Sequence, residues 1–576
     1  MDSQGGRATH QFHRHFAGVV LLFGSILLSL SAVDGAEFFN DWATNNLSAV
    51  PSQSGPTDDP DGDGAPNLTE YVFGTDPLTP DCAGDAITTL FGGANGSYGV
   101  EIFERAGHRP GVQIDLDATA DMVHWVRPWW LRTSTNSLPG DPTNSVREVF
   151  TTYLPGTNVF IVRGVLHLFD LGPETANYYV ATNGNDGASG TGTNTPFRSL
   201  HKAVSVAAPG DLIYMRGGTY STNATISINT SGTAANPIRL RAYPGEKPIL
   251  NFGSQTTSSS NRGINFNASW WQVYGLEIAS AGDNGIALSG SSNIIERCVL
   301  HHNRDTGLQI SGSGGRVPSS NLVLNCDSYL NRDATGENAD GFAVKSFWES
   351  GTHVGPDNIF RGCRSWDNAD DGWDLWQTTN TVVLSNCWTW GNGTNLVTAG
   401  DGNGFKLGGH SSANGTANFA GAHLVTRCVS FKNFHNGFDQ NNNAAGITLD
   451  QNTAWANGST NSDCNFQMNH VTANSPPTIH TVRNNISIGG FSNDVFYTGS
   501  ILINNSWQVV PAAGTNDFLN LDRILALSPR RDDGGLPEVP LLRPTLTSLF
   551  IDQGTNLGEA FYGAAPDLGA FETVVW

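Results

Sequence analysis

AspGlyTrpAspLeu (371–375) is one of six related strings, and the way it repeats decides the fold. The others are AsnGlyIleAlaLeu (284–288), ThrGlyLeuGlnIle (306–310), AspGlyPheAlaVal (340–344), AsnGlyPheLysLeu (403–407) and AsnGlyPheAspGln (436–440). Their glycines, at 285, 307, 341, 372, 404 and 437, stand 22, 34, 31, 32 and 33 residues apart. Each string reads Gly, apolar, variable, apolar, with Gln440 the exception. That is the period of a short strand with one buried face.

A second signal keeps the same time. Cys298, Cys326, Cys363, Cys387 and Cys428 each sit in an apolar run and each is followed five residues later by asparagine, at 303, 331, 368, 392 and 433. Asn452 and Asn457 repeat the spacing without the cysteine. Fixed strands, recurring turns and loops of free length describe a parallel β-helix, an all-β solenoid in which each coil stacks on the next. An ordinary β-sandwich would have to repeat two registers by accident. The five cysteines then form an inward stack and behave as small apolar residues. Stacked neighbours are roughly 4.8 Å apart, so a bridge is not excluded geometrically. Cys82 lies outside the repeats.

The chain of 576 residues is too long for one compact core. With 67 glycines and only 14% charged residues it suits a turn-rich β protein. The balance of 30 basic against 52 acidic residues gives −22, which argues against nucleic acid as partner. A polyanionic substrate stays possible if a metal ion supplies positive charge locally.

Residues 1–36 read as a secretory signal peptide: basic residues and histidines up to His15, an apolar run from about Phe16 to Ala32, and small residues at Gly35 and Ala36. An uncleaved anchor is the alternative. No later stretch is long and apolar enough to span a bilayer. The expected setting is secreted or cell-surface.

Residues 37–85 form a separate EF-hand-like calcium-loop module. Asp59, Asp61, Asp63, Gly64 and Glu70 fit D-x-D-x-D-G-x₅-E, with a carbonyl from Ala65 and an oxygen from Asn67. Hard oxygen ligands at that spacing favour Ca²⁺; an acidic linker is the bland alternative. The segment resembles Asp-rich calcium modules of large secreted bacterial proteins, which act as spacers. Residues 86–173 alternate in short runs and read as a small antiparallel β domain whose role the sequence does not show. Residues 174–576 hold the solenoid. It opens with an amphipathic helix, Thr195 as N-cap and Pro196 in its first turn, which would cover the open end of the stack. The C-terminal stretch 566–572 is expected to close the far end.

Alignment of the strands places the chemistry. The first outward position reads Ala287, Gln309, Ala343, Asp374, Lys406, Asp439 from coil to coil. The residues before glycine read Asn284, Thr306, Asp340, Asp371, Asn403, Asn436. Asp340, Asp370, Asp371 and Asp374 therefore crowd into two coils and repel one another unless something positive lies between them. Bound Ca²⁺ satisfies that condition with an all-oxygen ligand set. An exposed Asp-rich turn is the alternative. Lys406 lies one coil away on the same face. It is either a base or an ion-pair partner of Asp374 and Asp439. Neighbouring carboxylates raise its pKa and Ca²⁺ lowers it.

AsnAlaAspGlyPhe (338–342), AsnAlaAspAspGlyTrpAspLeu (368–375), GlyAsnGlyPheLysLeuGlyGly (402–409) and AsnGlyPheAspGlnAsn (436–441) resemble the family 9 polysaccharide lyases, right-handed β-helix pectate lyases. The resemblance covers roughly 178–576. It implies that Asp340, Asp370, Asp371 and Asp374 hold a catalytic Ca²⁺ and that Lys406 is the base. It also implies calcium-dependent β-elimination on an acidic plant cell-wall polysaccharide. The net charge and the lack of a later spanning stretch lead us to expect no nucleic acid or membrane partner, and a monomer is expected. Homogalacturonan is the first choice of substrate, and rhamnogalacturonan the alternative within the family. Lys345, Trp376 and Asp439 are candidate substrate contacts, although an ordinary surface lysine fits position 345 equally. Two rivals stand outside the family: a β-helix pectin hydrolase with paired carboxylates, and a non-catalytic adhesin.

Overall fold

The computed structural model describes residues 174–573 except 394–399, 410–418, 470–478, 532 and 560; before them it describes parts of 43–54, 58–61, 67, 77–78 and six strands between 87 and 168. The expected leader and its cleavage site, Cys82, and the calcium-loop positions Asp63, Ala65 and Glu70 lie outside the described residues. The six early strands pair antiparallel, four in one sheet and two in another. Among the described residues no helix is long and apolar enough to cross a membrane.

From Tyr178 onward the strands are short and parallel and build three sheets of 10, 12 and 10 strands. The chain visits the three sheets in rotation, so each turn of chain is one coil of an all-β parallel β-helix. The repeated glycine strings form one sheet, in register: Ile264, Ile286, Leu308, Phe342, Trp373, Phe405, Phe438 and Phe466 lie in one column. Inside the solenoid the last five stack as rings with centroids 5.0, 4.9, 5.0 and 4.9 Å apart. The inter-coil step and the offset-stacking distance of aromatic rings nearly coincide, so one geometry satisfies both.

The glycines recur for a steric reason. A Cβ on Gly341 would fall 1.9 Å from the Ser365 hydroxyl, on Gly372 2.1 Å from Thr389, and on Gly404 2.2 Å from Ser430. Ser365 Oγ and Ser430 Oγ donate to Gly372 and Gly437 carbonyls at 3.1 and 3.0 Å. Behind each site strand a hydroxyl fills the space that a side chain would need.

Asparagine ladders hold the corners. Asn303, Asn331, Asn368, Asn392, Asn433, Asn457 and Asn465 stack so that each Nδ2 donates to the next Oδ1 at 2.9–3.0 Å. Residues just before these corners, such as His302, Leu330, Asp367 and Lys432, take left-handed backbone conformations that side chains resist. The ladder offsets that strain with buried amide bonds. The six described cysteines are free and buried, and Asn452, Asn485 and Asn505 continue the cysteine column as a further amide ladder.

Another column begins Asn293, Asn321, Asn358 and then uses histidine. Asn321 N donates to Asn358 Oδ1, whereas Val382 N donates to His423 Nδ1 at 3.1 Å and Ile447 N to His480 Nδ1 at 3.2 Å. Burial pushes the imidazole of His423 down to about 3 and that of His480 down to about 4. Both folded values lie below the unfolded 6.5, so at these two sites the unfolded chain binds more protons, and their contribution to stability falls as pH drops below 6.5. The loss is about 1.4 kcal/mol per pH unit for each fully buried imidazole. His423→Asn, which restores the acceptor used lower in the column, is expected to flatten this acid slope. Melting temperatures from pH 7 to pH 4 measure it, and an unchanged slope would remove His423 as a cause.

Two expectations about the ends are corrected. The helix spans Leu200–Val206, and its N-cap is Ser199, whose Oγ accepts from Lys202 N. Thr195 and Pro196 precede it in a turn, because Phe197 is taken up in a parallel bridge to Val180 and cannot be helical. The C-terminal stretch does not close the far end. Leu568 joins Phe518, Leu541, Leu542 and Phe550 in a cluster with Trp366, Trp390, Phe431 and Trp455 on the outer face of the third sheet. The far end is covered instead by the short helix Ser506–Val509, whose Trp507 packs on Phe466 and Phe496.

Candidate active site

The outward column is as the repeats predict: Ala343, Asp374, Lys406 and Asp439 pair in register through successive coils. The column before the glycines is a ladder of side-chain oxygens and backbone amides. Asp371 N donates to Asp340 Oδ1 at 3.2 Å, Asn403 N to Asp371 Oδ1 at 2.7 Å, and Asn436 N to Asn403 Oδ1 at 3.0 Å. Asp340 and Asp371 thus spend one oxygen on the coil above and turn the other toward Lys345 and Lys406. Asp370 Oδ1 accepts from Asp401 N at 2.7 Å, under Gly400, where a Cβ would lie 2.2 Å from that oxygen.

One oxygen each from Asp340, Asp370 and Asp371 lies within 4.8 Å of the others, and all three residues are buried. Asp374 Oδ1 is buried and has no hydrogen-bond partner among the described residues. An orphaned carboxylate oxygen beside three converging ones fits a hard, oxygen-seeking cation such as Ca²⁺.

Two ammonium groups hold the cluster together here. Lys345 Nζ lies 2.7 Å from Asp340 Oδ2 and 3.0 Å from Asp374 Oδ2. Lys406 Nζ lies 3.0 Å from Asp371 Oδ2 and 2.9 Å from Asp401 Oδ2. Lys345 is therefore no surface lysine: it is buried among the carboxylates, because its position faces the side on which they concentrate. Lys406 pairs with Asp371 and Asp401, and not with the expected Asp374 and Asp439. Asp439 is occupied by its own turn, accepting from Asn441 N at 2.8 Å and Asn436 Nδ2 at 3.2 Å. Trp376 flanks the site, with Lys406 Nζ 6.0 Å from its ring centroid.

The electrostatics follow from burial. It pushes Asp371 up to about 8 despite Lys406, and pushes Asp370 well up with Asp371 and Asp340 beside it. Burial alone would lower Lys406, but Asp371, Asp374, Asp370 and Asp401 outweigh it and hold the ammonium well above its usual value. Ammonium and metal compete for one set of oxygens, so the lysine is most strongly protonated when the cluster lacks a cation.

Asp340, Asp370, Asp371, Asp374, Lys345, Lys406 and Trp376 come together. Asp59, Asp61 and Asn67 lie earlier in the chain, where Asn67 N donates to Asp58 O at 2.8 Å and Asn67 Nδ2 to Gln53 O at 2.9 Å. Sequence reasoning missed Asp401 and Thr306, whose hydroxyl donates to Asp340 Oδ2 at 3.1 Å. Thr306 was legible as the neighbour of Asp340 in the column before glycine. Asp401 was not, because it comes from a loop of unrepeated length. The site opens into a cleft of about 480 Å³ along the glycine-string sheet, with Asp370, Asp374, Trp376, Lys345 and Lys406 at one end.

The family model described as Pel9A-like, right handed beta helix region, matches residues 178–485. Pectate lyase L of Dickeya dadantii is 39% identical over 411 residues, covering 69% of this chain and 90% of that protein. The crystal structure of pectate lyase Pel9A aligns with a TM-score of 0.60 at 38% identity, covering 69% of this chain and 96% of that one. A rhamnogalacturonan lyase structure aligns with a TM-score of 0.57 at 26% identity, covering 64% of this chain and 96% of that one. The chain accordingly belongs to the Pel9A-like right-handed β-helix family, the family 9 polysaccharide lyases, and is itself a polysaccharide lyase.

Proposed function

We propose that the chain cleaves a pectic polyuronate, polygalacturonate first, by calcium-dependent β-elimination with Lys406 as base. One observation carries the reading: Lys406 Nζ stands 3.0 Å from Asp371 Oδ2 at the edge of a carboxylate cluster that opens into a long cleft. Asp340, Asp370, Asp371 and Asp374 are the residues that would hold Ca²⁺. When bound there it supplies the positive charge that attracts a uronate carboxylate and acidifies the adjacent C5 hydrogen.

The chain's own residues do the rest. Lys406, as the neutral amine, takes the C5 proton. The C5–H electrons form the C4–C5 double bond, the C4–O bond breaks, and the departing oxygen collects a proton from solvent. Thr306 and Lys345 fix Asp340, and the Asn403 amide fixes Asp371, so the acids are preorganised without substrate. Trp376 walls one side of the base.

The similarity to a rhamnogalacturonan lyase favours a second substrate, the rhamnogalacturonan backbone, with the same chemistry. The domain reading accompanies this one: a leader at 1–36, a calcium-loop module at 37–85, a β domain at 86–173 and the lyase domain at 174–576, exported and monomeric.

Incubation with polygalacturonate, with and without EDTA, is the test. Ultraviolet absorbance from unsaturated ends is expected to grow without EDTA, stop with it, and return on adding Ca²⁺. Saturated reducing ends would support a hydrolase, and no cleavage a binding protein.

A further inference from the structure

The cleft runs well beyond the metal cluster. Its lining extends from Lys406 down to Asn265, and their strands are separated by five steps of the sheet. At roughly 4.8 Å per step that is about 24 Å. Most charge along it is negative: Asp283, Asp305, Glu337, Asp370 and Asp374 line it. Lys345 and Lys406 are both locked into the carboxylate cluster. The remaining lining cation is Arg262, at the opposite end.

Arg262 is held from behind. Its carbonyl accepts from Thr225 Oγ1 at 2.8 Å and Gln255 Nε2 at 3.1 Å. Its side chain makes one polar contact, Nε to Asp283 Oδ2 at 3.2 Å. Both terminal nitrogens of the guanidinium therefore lack a partner among the described residues, and the side chain is 31% exposed. Next to Asp283, Asn284 also lines the cleft; it is 2% exposed, and its Nδ2 is buried with no hydrogen-bond partner. An unpartnered buried amide N–H is unfavourable unless a ligand meets it. Arg316 stands close by, its Nε donating to Ser289 Oγ, another lining residue, at 3.1 Å.

We propose that Arg262 and Asn284 form a remote subsite for the carboxylate of a second uronate residue, four to five coils from the base. The proposal rests on the polyuronate reading above and adds where the chain of sugars is gripped. A planar guanidinium with two free terminal nitrogens matches a carboxylate in bidentate fashion, which a compact ammonium does not. The Asp283 contact orients the fork and leaves it unused. Since one coil is close to the length of one pyranose, a long oligomer spans Lys406 and Arg262 together, and a trimer does not.

The experiment compares trigalacturonate with decagalacturonate on wild type, Arg262→Ala and Arg262→Lys. For the long substrate KM is expected to rise about tenfold in Arg262→Ala, the worth of one charge-assisted hydrogen bond, with kcat within about twofold by the same reasoning. Arg262→Lys falls between, and the trimer is unaffected by either change. Calorimetric titration of both oligomers into Lys406→Ala and Lys406→Ala/Arg262→Ala repeats the comparison without turnover. It decides the subsite even if wild type fails to eliminate, a result that would count only against the reaction. Equal affinity of the two proteins for decagalacturonate, or an equal loss on the trimer in Arg262→Lys of unchanged melting temperature, overturns the proposal.

Discussion

Lys406→Ala is expected to remain folded and to lose polygalacturonate cleavage by about 10²–10⁴-fold, the range for removing a general base. The fold survives because nothing inside the solenoid depends on this side chain: Phe405 faces the core, and residue 406 faces the cleft. The vacated ammonium leaves Asp371 with a buried Oδ2, and burial already pushes that carboxyl up to about 8, so it can answer by taking a proton. Loss of activity in Lys406→Ala alone would be ambiguous, since an ammonium could also act as a fixed charge on the substrate carboxylate. Lys406→Arg separates the two roles. It keeps the charge next to Asp371 and Asp401 but does not deprotonate in a protein. Inactive Lys406→Arg with unchanged calcium affinity and melting temperature supports the base. Substantial cleavage by Lys406→Arg, followed as absorbance of the unsaturated product, would end that assignment.

How much of this was readable beforehand depended on whether a residue lay inside the repeat. Asp374, Lys406 and Asp439 share a register position, so their alignment followed from the glycine spacing alone. The partners of Lys406 did not follow, because Asp401 arrives on a loop whose length no repeat constrains. Lys345 shows a different limit. Register put it on the outward face, which was correct, but outward here means into a crowd of carboxylates, and only the packed arrangement shows it buried. The outer aromatic column was present in the sequence and overlooked. Tyr329, Trp366, Trp390 and Phe431 each lie three residues after a cysteine, and their rings stack at 4.4, 5.0 and 5.6 Å. A row of large apolar rings on the outer face of a sheet needs a cover, and that need is why the C-terminal segment lies along the flank instead of across the end. Nothing in the pattern announced the histidines at 423 and 480, which replace asparagine as acceptors of a backbone amide.

Asp371 separates fold from chemistry more sharply than any other position, because its two oxygens have different duties. Oδ1 accepts from Asn403 N at 2.7 Å and Asn403 Nδ2 at 2.9 Å, while Oδ2 faces Lys406 and the cluster. One coil further on, Asn403 does the first duty with an amide oxygen, accepting from Asn436 N. Asp371→Asn should therefore keep the ladder and lose the anionic ligand. Its melting temperature is expected to match wild type in EDTA, because the amide also relieves a buried carboxyl that burial makes reluctant to ionise. Asp371→Ala abandons two buried N–H groups of Asn403 and is expected to destabilise by about 1–3 kcal/mol for each left unsatisfied. Both variants should lose the rise in melting temperature that Ca²⁺ gives wild type through mass action. Both should also lose cleavage by at least about 10²-fold, as removal of one electrostatic contributor does. Calcium titration followed by thermal unfolding measures the two duties in one experiment. A calcium-induced rise retained in Asp371→Asn would show that this carboxylate is a rung of the coil and no part of the metal site.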